Sequence, residues 1–171
     1  MAESILISIS DVQEYRKIDP KFNEDRFNTL ASEIQRKNLR DLLGDAMYYD
    51  FFENIAAGKY VKLRDGETYD YSGNTIKYYG LKPTLCYWWL SLALRESDLY
   101  LSTHGAIQFN NNQQQSFEVA KEKERTAIKY LETATRYSND IIQYVQTKIN
   151  DFPLFIGSEK MNQSNFLTFR L

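Results

Sequence analysis

One cysteine, one histidine, three prolines and seven glycines are all that 171 residues hold of the residue types that build disulfides, soft-metal sites and sharp turns. A single cysteine excludes a disulfide within the chain and is compatible with folding in a reducing compartment. Cys86 lies in the most apolar run, where a free thiol acts as a small buried hydrophobe rather than a nucleophile. His104 has no second histidine or cysteine pair to complete a metal site, and beside Gly105 it reads as a helix C-terminal residue. An excess of positive charge is also missing: 21 Lys and Arg against 23 Asp and Glu give a net charge of −2, with the signs interspersed. That argues against sequence-specific DNA binding and against a basic membrane-surface patch. The longest apolar run, about ten residues, is too short to span a bilayer. The opening MAESILISIS lacks the positive start and long apolar core of a signal peptide, so a soluble protein not exported by the classical route is expected. No Gly-rich phosphate loop, nucleophile–base pair or metal cluster occurs. Asp41, Asp45 and Asp50 are spaced as on any helix surface, so no enzyme and no cofactor is expected.

What the chain does have is apolar and aromatic mass. Apolar residues make up 43% and aromatic residues 15%, enough for one globular domain with a real core. Tyr alone counts 13, and its flat body and polar tip suit either the edge of a core or a partly wet contact surface. The organising stretch is PTLCYWWLSLALRESDLYL. Successive residues on a helix point about 100° apart, so this run is apolar all round and must be enclosed. Pro83 suits a first helical turn. A central helix over residues 83–102 is predicted, with Leu85, Trp88, Trp89 and Leu92 as its core.

Around it, SILISI (residues 4–9) alternates and is either a short strand or an extended lead-in. Ser10 with Gln13 reads as a capping box for a short helix over 11–15, and Asp19-Pro20 ends it. Asn23 caps the next helix, with Glu24 and Asp25 favourably placed against its dipole. Gly44 is either a C-cap before a helix starting at Asp45 or a tolerated break. Between Gly58 and Gly80 the period changes: residues 60–63 alternate, Asp65-Gly66 and Gly73-Asn74 signal turns, and two or three short antiparallel strands are predicted. Such an insert must lean on helices or on another subunit. The polar tract NNNQQQ lies in a predicted flexible loop over about 104–115. A long amphipathic helix is predicted over 117–150, about 50 Å at 1.5 Å per residue, which overhangs a domain of this size unless it bends or packs elsewhere. Phe152-Pro153 breaks it.

The fold expected is therefore mainly α: a small helical bundle around a central aromatic helix, with a short antiparallel β insert. Residues 1–150 form the body, and residues 151–171 an extended docking tail. That tail carries Phe152, Leu154, Phe155, Ile156, Phe166, Leu167, Phe169 and Leu171 without a helical stripe. It either folds back on its own domain or docks on another subunit, by strand addition or by Phe anchors.

Two stretches carry a family resemblance. The first is SDVQEYRKIDPKF followed by a helix ending in Leu42-Leu43-Gly44-Asp45 and the aromatic run Tyr48-Tyr49-Asp50-Phe51-Phe52. The second is Thr68-Tyr69, a strand pair, and Tyr79-Gly80-Leu81-Lys82-Pro83 opening the aromatic helix. Together, over roughly residues 10–149, these resemble the head–tail connector (adaptor) proteins of tailed bacteriophages, most closely the neck ring proteins of crAss-like phages. The insert at 58–80 is longer than in the simplest adaptors. The resemblance implies a structural virion protein made in the host cytoplasm. It would form a homo-oligomeric ring, a dodecamer matching the portal, in the neck between the portal protein and the next tail or neck component. DNA would pass through without specific binding, and no membrane is involved. The mildly acidic charge suits a channel wall that must not hold DNA. The alternative is a cellular helical adaptor that binds a protein partner through its Phe-rich C-terminal tail.

Overall fold

The computed structural model describes residues 4–18, 22–96, 100–102, 105–107 and 113–156, with side chains from 121 onward in the last of these. It is mainly helical, with a short antiparallel hairpin inserted between helices. The elements are α1 (Ile9–Tyr15), α2 (Glu24–Ile34), a π-helical segment (Gln35–Leu39), α3 (Arg40–Leu43), α4 (Asp45–Asn54) and α5 (Val61–Asp65). Then follow β1 (Glu67–Tyr71), β2 (Asn74–Tyr78), α6 (Lys82–Glu96), β3 (Tyr100–Ser102), β4 (Gly105–Ile107), α7 (Gln113–Thr147) and a 3-10 turn (Ile149–Asp151).

α6 is the enclosed helix: every residue from Pro83 to Ser91 is buried. α1, α2 and α7 all pack against it, and α7 runs antiparallel to it. Trp89 rests between Phe22 and Phe27, ring centroids 5.2 and 4.8 Å away, and its Nε1–H donates to the Phe27 carbonyl at 3.3 Å. α7 comes close because Ala127, Ala134 and Ser138, all buried, keep its contact stripe small. The Ser91 hydroxyl donates to the Ala127 carbonyl at 2.9 Å, which satisfies it inside the interface. Arg95 pairs with Glu124 at 3.0 Å near the end of α6, so the first turns of α7 run on past it.

The N-terminal residues 4–7 form an extended lead-in, tied down by the π-helical segment. The extra residue in that turn faces Gln35 inward. Its Oε1 accepts from the Leu6 N–H at 2.7 Å and its Nε2 donates to the Ser4 carbonyl at 3.2 Å. One amide side chain thus serves both backbone groups of the lead-in, as a neighbouring strand would. α1 is capped by Ser8 and Asp11, not Ser10 and Gln13: the Ser8 Oγ accepts from the Asp11 N–H, and Asp11 accepts from the Ser8 N–H at 2.8 Å. The choice is tertiary, because Asp11 also accepts from Lys82 Nζ at 2.7 Å. Asn23 caps α2 as its sequence position indicates, accepting from the Arg26 N–H at 2.8 Å. Gly44, at φ 79°, separates α3 from α4 and settles the two alternatives in favour of a new helix at Asp45.

β1 and β2 pair antiparallel with Tyr69 opposite Ile76, through a Ser72-Gly73 turn in which both residues have positive φ. Gly66 and Gly80 pass back to back at the base of this insert. A Cβ on Gly66 would lie 2.3 Å from the Tyr78 carbonyl oxygen, and one on Gly80 2.3 Å from that of Arg64. The hairpin leans on α7 through Tyr78, which stacks on Tyr144 with centroids 4.1 Å apart.

Three expected elements differ. Residues 61–65 form helix α5, not a strand: four alternating residues fit either period, and Leu63 buries as a helical residue capped by Gly66. Gln113, Gln114 and Gln115 begin α7 and do not belong to a loop. The central helix stops at Glu96, where polar residues replace the apolar run, and Tyr100–Ser102 pairs instead with Gly105–Ile107. Asp19, Pro20, His104 and residues 110–112 lie outside the described residues.

Candidate docking surface

The proposed tail divides at Ile156. Phe152 and Phe155 are 5% and 6% exposed and belong to the core of their own chain, which corrects their assignment as partner-docking residues. The reason is a ready-made aromatic slot. Phe152 stacks on Tyr60 (6.1 Å, interplanar angle 15°) and leans on Tyr144 at 5.8 Å. The 3-10 turn and Pro153 bring the chain back onto the body, and the Phe155 N–H donates to the Phe152 carbonyl at 3.0 Å.

Each wall of the slot is held by a carboxylate. The Tyr60 hydroxyl donates to Asp50, which also accepts from Lys59 Nζ at 2.6 Å and Asn54 Nδ2 at 3.0 Å. The Tyr144 hydroxyl donates to Glu67 at 2.6 Å, and Lys62 pairs with the other Glu67 oxygen at 3.0 Å. Lys59 and Tyr60 hold the Asp50 carboxyl below its ordinary range, and Tyr144 and Lys62 do the same for Glu67. Burial, then Asp50, raises the Tyr60 phenol; burial, then Glu67, raises that of Tyr144. Both tyrosines thus stay neutral donors and the slot is fixed from outside.

Leu154 and Ile156 stand outward, 38% and 80% exposed. Phe166, Leu167, Phe169 and Leu171 lie outside the described residues. Leu85, Trp88 and Trp89 are buried and Leu92 is half-buried. On the same face of α6 as Trp88, one turn earlier, sits Thr84. The Trp88 Nε1 and the Thr84 Oγ1 are buried with no hydrogen-bond partner among the described residues.

A second surface is a groove of about 860 Å³ along α2, the π-helical segment and α3, lined among others by Glu33, Arg36, Lys37, Arg40, Asp41 and Asp45. Arg40 pairs with Asp45 at 2.7 Å and lies over the Tyr49 ring at 5.4 Å. Charges of both signs line it, as on a solvated helix face. Asp41 and Asp45 line this groove while Asp50 holds the aromatic slot, so the three carboxylates share no site. Cys86 is fully enclosed, with burial pushing its thiol up to about 12. Among the described residues no three metal-capable side chains cluster, and no helix is long and apolar enough to cross a membrane.

Neither slot wall was evident from the sequence. Tyr60 and Tyr144 are two tyrosines among 13, and nothing local couples them to Phe152. The one usable signal was the apolar FPLF itself, which required a cover.

Residues 39–165 match the model of a family of unknown function (DUF6712), and the chain belongs to that family. No curated protein and no solved structure matches it.

Proposed function

We propose that this chain, a member of a family of unknown function, is a structural connector. It is a subunit of a homo-oligomeric ring in the neck of a tailed bacteriophage, between the portal protein and the next tail component, around the DNA channel. The observation that carries this reading is the division of the C-terminal region. The body closes on its own side chains as far as Phe155. Ile156 is exposed, and after a polar stretch the sequence ends in the apolar residues Phe166, Leu167, Phe169 and Leu171. With Phe152 and Phe155 taken up by the body, Phe166, Leu167, Phe169 and Leu171 are the residues that would serve as anchors on another molecule. The resemblance of residues 10–149 to phage connectors supplies the kind of molecule: a portal and neighbouring copies. A ring contact of this head-to-tail type closes only when the rotation between copies fits, which a portal template would impose.

The test is to incubate the full chain with portal rings from the same source and image the mixture by negative-stain electron microscopy. The reading expects one added symmetric layer on the portal, absent when residues 161–171 are deleted. Bare portals beside a monodisperse monomer would overturn it, and would favour an adaptor that meets a different protein through the same tail.

A further inference from the structure

The β1–β2 hairpin has an outer edge with no partner among the described residues. Tyr71 and Asn74 flank the two-residue turn and form a hydrogen-bonded pair, so by the alternation of an antiparallel ladder Asp70–Thr75 and Thr68–Lys77 are non-hydrogen-bonded pairs. The backbone N–H and C=O groups of Thr68 and Asp70 therefore point away from β2. Both residues are exposed, and among the described residues no backbone bond outside the hairpin engages either of them. One face of the hairpin is apolar, with Tyr69 and Tyr78 buried on α7, yet Tyr71 at its end is still 43% exposed. The other face carries Thr68, Asp70, Thr75 and Lys77, all exposed.

We infer that β1 is the docking edge for residues 166–171 of a neighbouring copy, which add to it as a third strand. The inference takes from the connector reading only that a neighbouring copy is present. Three features select this occupant. Residues 166–171 alternate, with Leu167, Phe169 and Leu171 in one set and Phe166, Thr168 and Arg170 in the other. A strand laid on β1 with the first set on the Tyr69 face extends the apolar surface over Tyr71 and leaves the second beside Thr68 and Asp70. Charge then selects the edge. Arg170 meets Asp70 on β1, whereas the β2 edge presents Lys77 and would repel it. The linker is long: residues 157–165 lie between Ile156 and this strand, and nine extended residues span up to roughly 30 Å.

The experiment mixes full-length Thr68→Cys with full-length Thr168→Cys and treats them with a short bismaleimide. Cys86 is enclosed and does not compete. A cross-linked dimer that forms only in the mixture is expected. Asp70→Pro removes an outward N–H without removing a ladder bond and should cut the yield about tenfold or more, with unchanged circular dichroism. Asp70→Lys, which keeps the backbone and reverses the charge, should cut it in the same direction. No cross-link, or a link only within single chains carrying both cysteines, overturns the inference. The portal-imaging experiment is independent. Decoration without the cross-link sinks this edge and spares the connector reading; a cross-link without decoration does the reverse.

Discussion

Replacing Phe152 with Ala tests the claim that the body closes through its aromatic slot. The ring is 5% exposed and packs between Tyr60 and Tyr144. An aromatic side chain buries about 150–250 Å², so at about 25 cal/mol per Å² the lost transfer term, net of the remaining methyl, is roughly 3 kcal/mol. A sealed core adds a cavity penalty that takes Phe→Ala to about 3–5 kcal/mol. Here the slot lies beside exposed Leu154 and Ile156, so water can enter and that penalty is small. The expected loss is therefore about 3 kcal/mol, or a Tm lower by roughly 6–12 °C for a chain of this size. Urea unfolding followed by the fluorescence of Trp88 and Trp89 measures it, because both indoles report the enclosed α6. A double-mutant cycle with Tyr60→Ala should give a coupling of about 0.5–1.5 kcal/mol. A loss below about 0.5 kcal/mol, within the range of ordinary surface substitutions, would refute the reasoning and place Phe152 back among the docking residues.

Trp88→Ala should cost about 3–5 kcal/mol in the same assay, whereas Trp88→Phe should cost under about 1.5 kcal/mol, because the indole N–H it removes has no partner among the described residues. Gln35→Ala should cost about 1–2 kcal/mol and speed amide exchange at Leu6, since the lead-in then has unpaired backbone groups; unchanged exchange would mean that Ile7 alone holds it. Asp11, Asp50, Asp65 and Glu67 all have lowered carboxyl values in the fold, so the stability they contribute is complete above the ordinary carboxylate range and is lost as pH falls through the lowered values. Asp140, raised by burial, works in the opposite sense and is outnumbered. Urea midpoints should thus be flat from pH 7 to about 5 and fall below about 4, with a shallower acid limb in Asp50→Asn and Glu67→Gln; an acid limb identical in both variants would contradict this.

The features legible in the sequence were those set by local chemistry. The apolar run around Trp88 had to be enclosed whatever surrounded it. Asn23 and Gly44 mark helix ends through their own side chain or lack of one, and Gly73 marks the hairpin turn. What escaped was decided at long range. Ser10 and Gln13 have the pattern of a cap, but Lys82 draws Asp11 to one side and Ser8 takes that role. Residues 61–65 are too few to separate a period of two from 3.6, and the packing of Leu63 chose the helix. Gln35 is an ordinary polar residue on a helix until the π-helical turn swings it inward. Phe152 and Phe155 announced only that they needed cover. That the cover is Tyr60 and Tyr144, each tethered to a carboxylate, follows from the placement of α5 and α7 and not from any local pattern.

The boundary at Ile156 is tested most directly by ending the chain there and comparing its unfolding free energy with that of the full chain. The account predicts agreement within about 0.5 kcal/mol, with an unchanged dependence on denaturant, because the surface exposed on unfolding is the same. A loss of more than about 2 kcal/mol would show that residues 157–171 shelter in their own body, and that the apolar C-terminal residues are core rather than anchors.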